Sequence, residues 1–183
     1  MKNLIIQLVS SSSPERSIVT NFIISQYERR MKVNPTFLPE IIFAAFLEGT
    51  VIATVGLEFC DSQDCPISCE NTFVFDWLSL PLPASRITSA LYTRWAVTDP
   101  SVSNKILHAA TVYALSKEKL FGWCELKPTV AKRLGQLGVK LYEITNATIN
   151  LDAINSSVRN YYETIPQPRL YQMELTQMAH DLQ

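Results

Sequence analysis

Residues Ser89 to Lys119 constrain the fold more than any other stretch. SALYTRWAVT is apolar and rich in β-branched and aromatic side chains, which predicts a buried strand ending near Thr98. Asp99-Pro100 then breaks the strand, and Ser101 or Ser103 can cap a helix that carries Val102, Ile106, Ala109 and Tyr113 along one face. Phe121-Gly122-Trp123-Cys124-Glu125-Leu126 follows almost at once and predicts a second strand, parallel to the first if the crossover is of the usual kind. Such a unit leaves backbone N–H groups and the helix dipole at the joint between the first strand and the helix, which predicts a seat for a phosphate or another anion.

The rest of the chain supplies a core around that unit. Of its 183 residues, 47% are hydrophobic and 18% charged, and no linker interrupts them, so we expect one domain over residues 1–183. The 16 basic residues are balanced by 17 acidic ones and spread along the sequence, which excludes a nucleic-acid binder driven by bulk electrostatics. Ile41 to Leu47 is the longest apolar run, far short of the roughly 20 residues of a membrane span. MKNLIIQLV is too short for a signal peptide and reads as a strand, so the expected location is the cytoplasm.

In chain order, a strand over Leu4 to Val9 precedes a helix opened by Ser13-Pro14-Glu15 and running to about Met31, with Ile18, Val19, Phe22, Ile23 and Tyr27 as its buried stripe. Asn34-Pro35 and Pro39 mark a loop. IIFAAFLEGTVIATVGLEF is a hairpin turned at Glu48-Gly49-Thr50, with both strands central. FVFDWLSLPLP has no clear periodicity and could shape a pocket rim. Pro128 opens a short helix with Val130, Leu134 and Leu137 inward and Gly138 as its left-handed cap. A strand over Lys140 to Ile144, a helix over about Ala153 to Tyr162 and a last strand in PRLYQMELTQM complete the reading.

Cys60, Cys65 and Cys69 lie in a polar loop whose spacing fits no common zinc pattern, and no nearby His completes a tetrahedral site, so no metal is expected. With Cys124 they read as reduced thiols, and a disulfide within the loop stays open.

This order of elements resembles the GNAT acyltransferase superfamily. PTVAKRLGQLGVKLYEI resembles the helix–Gly–strand run near the end of GNAT domains and of acyl-homoserine-lactone synthases. FIISQYERRMKVNPTFLPEIIFAAFLEG and VRNYYETIPQPRLYQMEL resemble the opening and tail of the thermostable haemolysin family. The resemblance implies an α/β (α+β) fold: a mixed, mostly antiparallel sheet with a central parallel strand pair and helices on both faces. It implies one of two functions. The first is an acyltransferase moving an acyl group from a coenzyme A or acyl-carrier-protein thioester to an amine. The second is a non-catalytic, haemolysin-like interaction or membrane-active protein.

For the transferase, the implied partner is an acyl thioester, coenzyme A or acyl-coenzyme A being the small-molecule form. Its pantetheine arm would lie along Trp95, Ala96 and Val97, its phosphates over Ser101, Val102, Ser103 and Asn104, with Lys105 or Arg94 supplying charge. The turn Thr98-Asp99-Pro100-Ser101-Val102-Ser103-Asn104 contains no Gly, unlike the usual phosphate loop, and Asp99 must point away for a pyrophosphate to sit there. Glu125 is the candidate general base, since an acid amid Trp123, Cys124 and Leu126 is desolvated and gains a raised pKa. Tyr142, and alternatively Tyr161 or Tyr162, would protonate the leaving thiolate. His108 and His180 are the chain's two histidines, which disfavours Ser–His–Asp or Cys–His chemistry.

Overall fold

A computed structural model of the chain describes residues 3–35 and 37–183. Strand β1 (Leu4–Val9) leads through a turn to helix α1 (Arg16–Met31). The helix starts later than its Ser-Pro-Glu signal suggests, because the Ser13 hydroxyl accepts a hydrogen bond from the Ser10 N–H and holds a tight turn instead of capping. Val19, Ile23 and Gln26 are its buried positions, while Ile18 is 49% exposed and Phe22 and Tyr27 pack at the margin. The buried stripe is therefore narrower than expected. It fits a groove made by Val9, Ile42 and Ala44.

Strands β2 (Ile41–Leu47) and β3 (Thr50–Phe59) form the expected hairpin, with Glu48 at φ 50° and Gly49 at φ 79°. Two consecutive residues with positive φ match the right-handed twist of the flanking strands. A short helix α2 (Cys69–Thr72) and strand β4 (Phe73–Val74) follow the cysteine loop, in which all four cysteines of the chain are free thiols once Cys124 is included. FVFDWLSLPLP thus resolves into β4 and a 3-10 turn over Trp77–Ser79, capped by the Asp76 side chain. Its aromatics do not rim the cavity described below. Phe75 and Trp77 pack on the fully buried Trp123, with ring centroids 5.4 and 5.2 Å from it.

The organising unit is strand β5 (Ser89–Val97), a 3-10 turn over Pro100–Val102, helix α3 (Ser103–Ser116) and strand β6 (Phe121–Leu126). Ser89 to Tyr92 pair in parallel with Phe121 to Cys124, as the crossover rule requires. Helix α3 is rotated from its predicted stripe: Val102 and Ile106 are buried, but the inner face continues through Leu107, Ala110, Thr111 and Ala114. Ala and Thr let the helix lie close to the sheet, and the Tyr92 hydroxyl donates to Thr111 Oγ1 at 3.0 Å, while Thr111 donates to the Leu107 carbonyl at 2.8 Å. Ala109 and Tyr113 fall to the flank, where the Tyr113 ring meets Phe43 edge-on at 5.5 Å.

Helix α4 (Pro128–Gln136) ends as expected, with Gly138 at φ 94°. Strand β7 (Tyr142–Glu143) is shorter than predicted. Strand β8 (Thr148–Ile149), helix α5 (Ser156–Glu163) capped by the Asn155 side chain, strand β9 (Arg169–Glu174) and helix α6 (Leu175–Asp181) complete the chain. The predicted last strand therefore stops at Glu174. Leu175, Met178 and Leu182 recur at helical spacing and are buried in the main core, which makes the tail helical.

The large sheet has the order β1-β2-β3-β5-β6-β9-β7, and β4 pairs with β8 in a separate ribbon. All pairs in the large sheet are antiparallel except β5–β6. Helix α1 covers one face, and α3, α4 and α6 pack with the core of the other. Among the described residues, no helix is long and apolar enough to cross a membrane.

Candidate active site

The site originates in a defect of β5. Its register against β3 shifts between Thr54 and Gly56, and Arg94, opposite the shift, has φ 51°. A bulge of this kind bends a strand and ends its regular pairing. The Arg94 carbonyl is held by the Thr54 hydroxyl at 3.0 Å. The ladder between β5 and β6 accordingly stops at Tyr92 and Cys124, and beyond it the two strands splay. A cavity of about 710 Å³ fills the opening.

Glu125 is the first β6 residue past the ladder, and it lines this cavity. Strand alternation places it on the same face as the fully buried Trp123, under the satellite core, so it does not turn out to bulk solvent. Burial raises its pKa to about 7, with Tyr162, Thr72 and Arg94 opposing and the nearby Glu58 reinforcing the shift. The Tyr162 hydroxyl donates to Glu125 Oε2, and the Tyr161 hydroxyl donates to the Glu125 carbonyl at 3.3 Å. Burial also drives both tyrosine pKa values up, so these phenols stay protonated.

The structure does not bring Tyr142 to the cavity. It lies on the edge strand β7 beneath the Lys140 ammonium, 5.1 Å from its ring centroid. Tyr161 and Tyr162 line the cavity instead, because α5 folds back over the end of β6.

Of the residues expected around the thioester, Arg94, Trp95, Val97 and Ser103 line the cavity, and Ala96, Ser101, Val102, Asn104 and Lys105 do not. Ala96 is buried and pairs with Thr54 of β3. Val102 is core, Lys105 is exposed, and the half-buried Asn104 keeps its Oδ1 without a partner among the described residues. Trp95 Nε1 also has no partner among them, although its ring faces the cavity.

Three of the N–H groups of the expected anion seat, those of Ser101, Val102 and Ser103, are already bonded. Asp99 does not turn away: its Oδ1 accepts the Ser101 N–H at 2.9 Å. The Val102 N–H goes to the Asp99 carbonyl at 3.3 Å and the Ser103 N–H to the Pro100 carbonyl. With no Gly to make an open loop, the chain enters α3 through a Pro-led 3-10 turn that consumes its own donors, and a carboxylate already occupies the positive end of the dipole. Arg94 is likewise committed, donating to the Phe37 carbonyl at 2.9 Å and to Thr93 Oγ1 at 3.1 Å.

Four cavity residues escaped sequence reasoning. Glu58, at the end of β3, receives the Ser68 hydroxyl at 2.5 Å, and burial raises its pKa. Tyr27 sits beside Arg94, and burial raises its pKa too. Arg30 donates to the Val97 carbonyl at 2.8 Å, and Arg133 lines the wall from α4. A lone Glu in the otherwise apolar VIATVGLEF was the one available signal among them. Among the described residues no three His, Cys, Asp or Glu side chains come together as a metal site.

No family model and no curated protein matches the chain. Solved structures do. A CoA-dependent acyl-homoserine lactone synthase, BjaI, solved with SAM and isopentyl-CoA, aligns with TM-score 0.63 at 10% identity, over 98% of this chain and 88% of that one. FeeM, an N-acyl amino acid synthase from uncultured soil microbes, aligns with TM-score 0.62 at 10% identity, over 97% and 93%. An acetyltransferase of the GNAT family from Staphylococcus aureus Mu50 gives TM-score 0.55 at 13% identity, over 93% and 99%. The chain therefore has a GNAT-like fold. Within that class its structural neighbours include acyl-homoserine lactone and N-acyl amino acid synthases.

Proposed function

We propose that this protein is an N-acyltransferase that moves an acyl group from a coenzyme A or carrier-protein thioester to an amine. The observation that carries the reading is Glu125, a carboxylate poised near neutrality at the point where the parallel strands part. A thioester is already activated, so a catalyst must hold it beside a neutral amine and manage protons. An amine acceptor arrives mostly as its ammonium form. Glu125 takes one proton, the free amine attacks the thioester carbonyl carbon, the C–N bond forms as the C–S bond breaks, and the second amine proton leaves with the thiolate as thiol. Tyr161 and Tyr162, both protonated beside Glu125, are the nearest donors to that thiolate.

The open edge of β5 supports the same reading. The Thr98 N–H is bonded to Ile52 of β3, so alternation turns the Val97 peptide groups toward the splay, where an N–H can polarise the thioester carbonyl. Val33, Val130, Leu137, Ile154 and Val158 give the cavity apolar walls suited to an acyl chain. BjaI with its bound isopentyl-CoA, and FeeM by its N-acyl amino acid product, are neighbours with this chemistry.

The test is thiol release from acyl-coenzyme A and acyl carrier protein in the presence of a panel of amines. Glu125→Gln is expected to lower kcat/KM about 100-fold or more, the usual contribution of a positioned base. No thiol release by the wild type with either donor, or a Gln variant as active as the wild type, would refute the proposal.

A further inference from the structure

A phosphate needs free N–H donors or cations, and at the start of α3 the Ser101, Val102 and Ser103 N–H groups are already bonded while Asp99 brings a negative charge. The donor's phosphate must then be read elsewhere on the cavity. Three arginines line it, and Arg94 is committed to Phe37 and Thr93. We propose that Arg30 and Arg133 form the phosphate site, clamping the phosphopantetheine phosphate of the donor at the cavity mouth. This rests on the acyltransferase reading above.

Both side chains are exposed, yet both reach the cavity wall. Arg30 comes from the last turn of α1. Its Nη2 bond to the Val97 carbonyl pins the guanidinium at the open end of β5, and it is the one bond Arg30 makes among the described residues, so most of its five donors stay available. Arg133 belongs to the helix that follows β6 and shares an inward stripe with Val130 and Leu137, which also line the cavity. The two cations thus approach from the two sides of the splay. A planar guanidinium matches phosphate oxygens in pairs, which a lysine does not.

The polarity of the cavity orients the donor. Glu58 and Glu125 are its carboxylates, both desolvated, and Arg30 and Arg133 stand exposed at its rim. A donor with its phosphate on the arginines delivers its thioester inward to Glu125. The same phosphate chemistry occurs in free coenzyme A and in the prosthetic arm of a carrier protein.

Calorimetric titrations of the full chain separate these sources and test the site. Coenzyme A, holo acyl carrier protein and pantetheine, which lacks phosphate, are titrated into the wild type, Arg30→Gln, Arg133→Gln, the double variant and Lys132→Gln. Gln at position 30 keeps an N–H for Val97 and removes the charge. Each arginine change should weaken the phosphate-bearing ligand about tenfold and the double change about a hundredfold, as charge-assisted bonds are lost. Pantetheine binding should not change, nor should Lys132→Gln matter, since Lys132 does not line the cavity. Loss with coenzyme A supports the site with the free cofactor as donor, and loss with the carrier protein alone supports it with the protein-borne arm. A double variant that binds as the wild type does, in a protein that still releases thiol, overturns the phosphate site and leaves the transferase reading standing. A wild type that binds none of the donors and releases no thiol overturns both.

Discussion

Replacing Glu125 with Gln should stabilise the fold at alkaline pH while impairing chemistry. In the folded chain the carboxyl has a pKa of about 7, against an ordinary value of 4.5 when unfolded. Below about pH 4.5 both states hold the proton and the residue is neutral to stability. Between the two values the unfolded chain releases its proton first, so stability falls as pH rises. Above about pH 7 the folded chain also carries the buried charge, and the full cost is present. At about 1.4 kcal/mol for each tenfold difference in acidity, that cost is about 3 kcal/mol or slightly more. Gln has nearly the same shape, and its Oε1 can still accept the Tyr162 hydroxyl, so it removes the charge and keeps the bond. Urea denaturation of both proteins from pH 4 to pH 9 reads the difference directly. The curves should coincide near pH 4 and diverge to about 2–3 kcal/mol in favour of the variant by pH 8. Parallel curves would show that Glu125 ionises normally, which would remove the basis for its role as a base.

Tyr162→Phe deletes a donor that favours the ionised carboxylate, so the pKa of Glu125 should rise and the alkaline-going limb of the pH–rate profile should move up by about one pH unit. An unmoved limb would mean that the bond is not made to the titrating group. Gly56→Ala should cost about 1–3 kcal/mol in denaturant titration, because a Cβ there would stand 2.5 Å from Pro39 Cγ, opposite the bulge of β5. Unchanged stability would refute that packing. Cys65 is exposed while Cys60, Cys69 and Cys124 are buried, so one thiol should react at once with a thiol reagent in the native protein and the other three after unfolding. Immediate reaction of all four would contradict the burial.

The parts of this protein readable from sequence were those decided within a few residues. Gly49 makes the β2–β3 hairpin readable because glycine takes the positive φ of a tight turn at no steric cost. The β5–turn–α3–β6 unit follows from one change of hydrophobic period and one Asp-Pro break, and the parallel pairing follows from the helix that crosses over between the two strands. Pro128 and Gly138 bracket α4 for reasons local to each residue. Where the local signal was equally satisfied by two outcomes, tertiary packing chose. LTQM became α6 because Leu175, Met178 and Leu182 find the core beside α3, and α3 itself turned so that Ala110 and Ala114 could approach the sheet.

The site was decided almost wholly by tertiary structure. That Glu125 holds a proton near neutrality depends on burial against groups remote in sequence: the charge of Glu58 on another strand adds to the shift, and the Tyr162 hydroxyl, 37 positions away, opposes it. Tyr142 and Tyr162 have the same chemistry, and only the path of α5 over β6 distinguishes them. Arg30 meets Val97 across 67 positions. Asp99 takes up the Ser101 N–H because an acceptor two residues away in the same turn is a nearer partner than any ligand. Propensity and period act along the chain, whereas charge burial, cavity shape and the pairing of distant polar groups come into being when the elements pack.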